Sequence, residues 1–137
     1  MTVTVYIARA FCRNSHGGNL AGVVILDEPI LPSQMQKMAS LLNFSETIFL
    51  LKKSEQHYFA TYYTPTCTID FCGHASIAAF GVLSQQGDLK SKSSTLKTPA
   101  GMCSISIANS FIFLSQILPV FGHYISEAEI ASVLGID

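Results

Sequence analysis

From His74 to Gln86 the chain reads His-Ala-Ser-Ile-Ala-Ala-Phe-Gly-Val-Leu-Ser-Gln-Gln, and Gly87 follows where a helix C-terminal cap would sit. Apolar and small residues fall on nearly every side of that helix, and a helix apolar all round persists only where other structure encloses it. This one segment sets the plan of the fold, because the remaining elements must wrap it. A chain of 137 residues is one ordinary domain by length, enough to supply the wrapping but not a second full core.

The wrapping elements read mainly as strands. Thr2 to Cys12 alternates, with Val3, Val5 and Ile7 on one expected buried face, and Ala21 to Leu26 reads as a second strand after the turn His16-Gly17-Gly18-Asn19. Pro32-Ser33 starts an amphipathic helix that carries Met35, Met38, Ala39 and Leu42 at three- and four-residue spacing. Glu46 to Leu51 and His57 to Thr64 follow as strands, the second with Tyr58, Ala60 and Tyr62 opposite Phe59, Thr61 and Tyr63. Thr68 to Cys72 is extended and leads into the enclosed helix. Ser94 to Thr98, Met102 to Ala108 and Phe111 to Ile117 are three further strands, the last two joined by a tight Asn109-Ser110 turn. The expected class is therefore α+β, a curved antiparallel or mixed sheet around a buried central helix.

The C-terminal segment stands apart. Ser126-Glu127-Ala128-Glu129 fits a capping box, Ile130, Val133 and Leu134 form a short apolar stripe, and Gly135 supplies a stop. With only Ile136 and Asp137 after it, this helix either docks back on the first domain or opens a second one. The expected division is residues 1–118 as the first domain and 119–137 as a linker plus the first helix of a truncated second domain.

Charge narrows the function classes. Lys and Arg number 8 against 9 Asp and Glu, and only 12% of residues are charged. The basic residues are scattered apart from the Lys90, Lys92, Lys97 stretch, so the clustered electrostatic footprint of a nucleic-acid binder is missing. No membrane partner is expected either: the most apolar run, Phe111 to Ile125, is broken by Ser115, Gln116, Pro119, Gly122 and His123, and the start lacks the basic head and apolar block of a signal peptide. Cys12, Cys67, Cys72 and Cys103 form no C-x-x-C pair, which points to free thiols and a cytoplasmic setting. An apolar fraction of 49% with so few charges to cover it implies apolar surface, and hence a partner.

Three groups of residues carry candidate chemistry. Period-two alternation sets Glu46 on the face of Ile48 and Leu50, where desolvation would raise a carboxyl pKa toward the range useful for acid/base work; the alternative is a carboxylate at the strand mouth, in contact with water. Asp70-Phe71-Cys72-Gly73-His74-Ala75-Ser76 gathers polar residues at the start of the enclosed helix, whose free amides suit a carboxylate or phosphate. The blander account makes Asp70 a surface charge, Cys72 core filler, His74 a cap and Ser76 a first-turn residue. Gly18 and Asn19, in the glycine-rich turn, either pin the turn or offer amides to a ligand. Cys67, Cys72 and His74 can be written as a metal half-site, but a second half-site is wanting, so no metal is expected.

Gly18-Asn19-Leu20-Ala21-Gly22-Val23-Val24, Ser45-Glu46-Thr47-Ile48-Phe49, Thr64-Pro65 and Asp70-Phe71-Cys72-Gly73-His74-Ala75, in that order, resemble the PhzF-like family of phenazine-biosynthesis isomerases, and Thr98-Pro99-Ala100-Gly101 looks like its next landmark. The resemblance implies the diaminopimelate-epimerase-like fold, in which two similar halves each wrap a sheet around a helix and the active site lies between them. It further implies that Glu46 is the acid/base moving a proton between carbons of a small carboxylate substrate. Asp70, Gly73, His74, Ala75 and Ser76, with Gly18 and Asn19, would contact that substrate, and neither metal nor organic cofactor is implied. Only the first half is represented, so the cleft would be closed by a second copy in a homodimer or by a separate C-terminal partner chain. Two other readings stand beside this one. Cys72-Gly73 also resembles the Cys-Gly of cysteine-based racemases and epimerases, which would make Cys72 the base; and a non-catalytic remnant or binding module of the same fold would use the apolar face for docking.

Overall fold

The structure, a computed structural model, describes residues 3–14, 16–116 and 118–136. Eight strands form one sheet: β1 (Val5–Ala10), β2 (Asn19–Leu26), β3 (Thr47–Lys52), β4 (His57–Tyr63), β5 (Thr68–Ile69), β6 (Ser93–Thr98), β7 (Gly101–Ala108) and β8 (Phe111–Leu114). Three helices accompany them, α1 (Pro32–Leu42), α2 (Gly73–Gln86) and α3 (Glu127–Leu134). Along the sheet the order is β1-β2-β3-β4-β6-β7-β8, with β5 added to β4. Two neighbouring pairs run parallel, β2 with β3 and β4 with β6, and the crossovers between them contain α1 and α2 respectively.

The sheet curls around α2, as its composition demands. Ala75, Ala78, Ala79, Phe80, Val82 and Leu83 of the helix are buried, and they pack with Ala21, Val23, Ile48, Leu50, Tyr58, Ala60, Tyr62, Leu96 and Ile105 from five strands. Phe80 meets Tyr58 edge-on at 5.1 Å between ring centroids. Full burial of a side chain such as Phe80 or Leu83 contributes roughly 1.5–3 kcal/mol, so the helix holds its place through packing rather than through amphipathicity. Gly87 closes it in the left-handed region at φ +75°, donating to the Leu83 and Ser84 carbonyls. On the other face of the sheet, Met35 and Ala39 of α1 cover Val24, Leu26, Phe49 and Tyr63. β3 thus alternates between two cores, Ile48 and Leu50 toward α2 and Phe49 toward α1.

Three expectations change. In β1 the side facing α2 is Tyr6, Ala8 and Ala10; Val3 and Val5 pack on the α1 side and Ile7 is 64% exposed. β1 ends at Ala10 rather than Cys12, because Phe11 takes φ +58° and turns the chain. β8 stops at Leu114, and Ile117 lies outside the described residues. The expected Asn109-Ser110 turn is present, with φ +49° and +66° at its two residues, the signature of a type I′ hairpin turn.

Beyond β8 the chain crosses Leu118–Ile125 without regular structure, and Leu118, Val120, Phe121 and Tyr124 are exposed. α3 has its capping box, Ser126 Oγ accepting from the Glu129 amide while the Glu129 carboxylate accepts from the Ser126 amide. None of its residues is buried. No helix among the described residues is long and apolar enough to cross a membrane.

Candidate active site

Glu46 immediately precedes β3, and its carbonyl accepts the Gly22 amide at 3.1 Å, which holds the strand mouth in register with β2. Since Ile48 and Leu50 face α2, strand alternation sends the Glu46 side chain the same way. There it is 21% exposed, neither dry nor loose in bulk water. Its Oε2 lies 3.3 Å from His74 Nε2. His74 is the second residue of α2, reached through an extended Cys72 at the N-cap (φ −143°). On the far side of the imidazole, Nδ1 lies 3.2 Å from Cys72 Sγ. The result is a carboxylate–imidazole–thiol chain with the ring in the middle.

The Glu46–His74 contact is close but misaligned. Nε2 is buried and no hydrogen bond satisfies it, so the carboxylate is an ion-pair neighbour and not yet an acceptor in line with the N–H. Catalytic hydrogen bonds are often loose before substrate arrives and tighten afterward. Cys72 is 8% exposed. Burial pushes its thiol above the ordinary value, the Ala75 amide opposes the rise, and the Glu46 charge reinforces it.

The helix start adds a dipole. The leading amides of α2 have no turn before them to bond, and the first turn contains no acidic residue. A Cβ built on Gly73 would meet nothing nearer than Gln116 Nε2 at 3.8 Å, so packing does not dictate glycine there. The β6–β7 turn borders the same region, Ala100 donating its amide to the Asp70 carbonyl at 3.3 Å.

Glu46, Cys72 and His74 come together; the other predicted residues are placed differently. The Asp70 side chain is exposed and only its carbonyl is engaged. Ser76 is fully buried, its Oγ donating to the Cys72 carbonyl at 2.8 Å and sharing a 2.7 Å hydrogen bond with Tyr62 Oη; its hydroxyl is spent on the core. Ala75 is also fully buried, leaving only its amide for the site. Gly18 ends the β1–β2 connection and Asn19 opens β2 opposite Ala10; Gly18 has φ +69° and an added Cβ would fall 2.2 Å from the Ala10 carbonyl oxygen. Hairpin closure by itself therefore requires that glycine. Cys67 is exposed beside Thr64 and outside the cluster.

Donor atoms of Glu46, Cys72 and His74 all lie within 4.8 Å of one another. In the structure the two ring nitrogens face different partners, Nδ1 the thiol and Nε2 the carboxylate. Sequence reasoning missed two neighbours: Gln116 beside Gly73 and Tyr62 beneath Ser76. Nothing in local pattern marks Gln116 or Tyr62: β4 carries Tyr62, and Gln116 follows the end of β8.

Residues 8–134 match the family described as "Phenazine biosynthesis-like protein" (PhzC-PhzF). "Uncharacterized isomerase YfhB" of Bacillus subtilis is 32% identical over 133 residues, covering 93% of this chain and 45% of that protein. The crystal structure of a phenazine biosynthesis protein of the PhzF family from Enterococcus faecalis superimposes with a TM-score of 0.79 at 29% identity, over 96% of this chain and 51% of that one. A hydroxyproline epimerase from Agrobacterium vitis shares the fold, with a TM-score of 0.63 at 14% identity over 84% of this chain and 41% of that one. The chain spans less than half the length of the curated relatives it matches, from 27% to 45%.

Proposed function

The chain belongs to the phenazine biosynthesis-like PhzC-PhzF family, and on that premise we propose that it supplies one wall of an isomerase that moves a proton between carbons of a small carboxylate without a cofactor. The observation that carries the proposal is Glu46 Oε2 held 3.3 Å from His74 Nε2 at the positive end of the enclosed helix.

The chemistry follows from the parts. Glu46, ionised, takes a proton from an activated carbon; the C–H electron pair moves into the adjoining π system, and the resulting carboxylic acid returns the proton at a different carbon. Gly73 and His74 present backbone amides where the substrate carboxylate would rest, and the helix dipole favours that charge. His74 Nε2–H steadies Glu46 while it is charged. Cys72 is the weaker candidate base, because its buried thiol is held protonated at neutral pH. With Glu46 21% exposed, a facing wall is needed to exclude water and strengthen these interactions. That wall comes from a second similar half, either another copy of this chain or a separate partner. Four free cysteines suit the reducing cytoplasm in which such an enzyme would work.

The test is deuterium incorporation from heavy water into carbon-bound positions of a panel of small amino and unsaturated carboxylic acids, followed by proton NMR, with light scattering in parallel. Incorporation by the wild type should vanish in Glu46→Gln and persist, reduced, in Cys72→Ala. Loss in the cysteine variant alone would transfer the role to Cys72. Full activity from a stable monomer would remove the second wall from the account. A binding-module reading has one observation in its favour, the exposed Leu118, Val120, Phe121 and Tyr124, and it gains if neither substitution changes anything measurable.

A further inference from the structure

The acid/base account leaves the Cys72 thiol without a task, although it sits 3.2 Å from His74 Nδ1. A neutral imidazole carries one N–H, and which nitrogen holds it is set by what the other nitrogen meets. Ser76 Oγ is committed to Tyr62 and the Cys72 carbonyl, so the thiol is the group that meets Nδ1. Buried at the N-cap, and with its pKa raised, the sulfur keeps its proton and is a donor. An S–H pointed at Nδ1 needs a lone pair there, which leaves the ring hydrogen on Nε2, facing Glu46. The reverse tautomer makes the sulfur a weak acceptor, gives up the S–H donation to the ring, and brings a bare Nε2 lone pair within 3.3 Å of a carboxylate oxygen, two electron-rich atoms in contact.

We propose that Cys72 is a positioning residue: by donating its S–H to His74 Nδ1 it fixes His74 as the Nε2–H tautomer and keeps the ring hydrogen on the nitrogen beside Glu46. The inference rests on the reading of Glu46 as the acid/base, but its decisive measurement does not use activity. Long-range proton–nitrogen correlation spectra of the histidine-labelled full chain at neutral pH report the tautomer directly. Wild type should show His74 as the Nε2–H form alone, Cys72→Ala a mixture of both forms, and Cys72→Ser, whose O–H donates at the same place, a return to Nε2–H. Deuterium incorporation should fall roughly three- to tenfold in Cys72→Ala, the worth of one neutral hydrogen bond, and recover in Cys72→Ser. A cysteine that merely fills space would alter stability and leave the tautomer unchanged. The proposal is overturned by Nδ1–H in the wild type, by pure Nε2–H in Cys72→Ala, or by a thiolate ultraviolet band at neutral pH. Glu46→Gln separates the two ideas: retained incorporation there sinks the acid/base role, while the tautomer spectra still decide what Cys72 does.

Discussion

Alanine at Gly22 probes the joint between the sheet and the site. Gly22 stands beside Thr47 in the parallel β2–β3 ladder, and its amide holds the Glu46 carbonyl at 3.1 Å. A methyl group there would lie 2.8 Å from Thr47 Oγ1, 3.1 Å from Thr47 Cγ2 and 3.4 Å from Leu42 Cδ1. Thr47 is fully buried, and its branched side chain is stiff about χ1, so it cannot simply swing away. Overpacking of this kind costs roughly 1–3 kcal/mol, and the lower entropy of the unfolded alanine chain offsets about 0.4–1 kcal/mol of it. Gly22→Ala should therefore lose about 1–2 kcal/mol. Thr47→Ala removes both offending atoms together with an unpaired buried hydroxyl, so the double variant should recover most of the loss. Urea unfolding midpoints at constant m give the four free energies of the cycle. A Gly22→Ala protein as stable as wild type, or a double variant additive to within about 0.5 kcal/mol, would refute the packing analysis.

Two further outcomes can be checked on the same protein. Burial pushes the Tyr62 phenol up to about 12 and raises Tyr58, Tyr63, Cys72 and Cys103 as well. The native state therefore holds protons that the unfolded chain gives up; their contribution is complete below the unfolded values and is lost as pH climbs from about 9 toward 12. Tyr62 accounts for on the order of 2 kcal/mol of that loss, and Tyr62→Phe should flatten the decline of the urea midpoint with pH. Ser110→Gly should raise stability by about 0.5–1 kcal/mol in the same assay, because Ser110 occupies φ +66° in the β7–β8 turn and glycine meets no steric penalty there.

Much of this architecture is legible in the sequence because its signals are local. α1 runs from Pro32 to Leu42 as proline and helical spacing predict, and α2 is enclosed because its residues leave no face for water. The face of Glu46 follows from the period-two rule. β1 shows where such reasoning stops: its alternation is real, but both sides of the sheet carry a helix-covered core, so pattern cannot tell which side Val5 joins or that Ile7 reaches solvent. The chain from Glu46 through His74 to Cys72 is likewise invisible locally, since it depends on the parallel β2–β3 register and on how deep the helix sits. Ser76 reads as a site residue because it lies close to His74 in sequence; two helical steps, about 200° of rotation, turn its hydroxyl into the core.

Glu46 hangs from a strand mouth and His74 from a helix start, elements distant along the chain that meet only once the sheet has curled. No fragment or loosely collapsed form can bring them into register, so the geometry of this trio is a reporter of cooperative assembly: any variant that loosens the wrapping, wherever it lies, should dim the His74 signature in proportion to the native population.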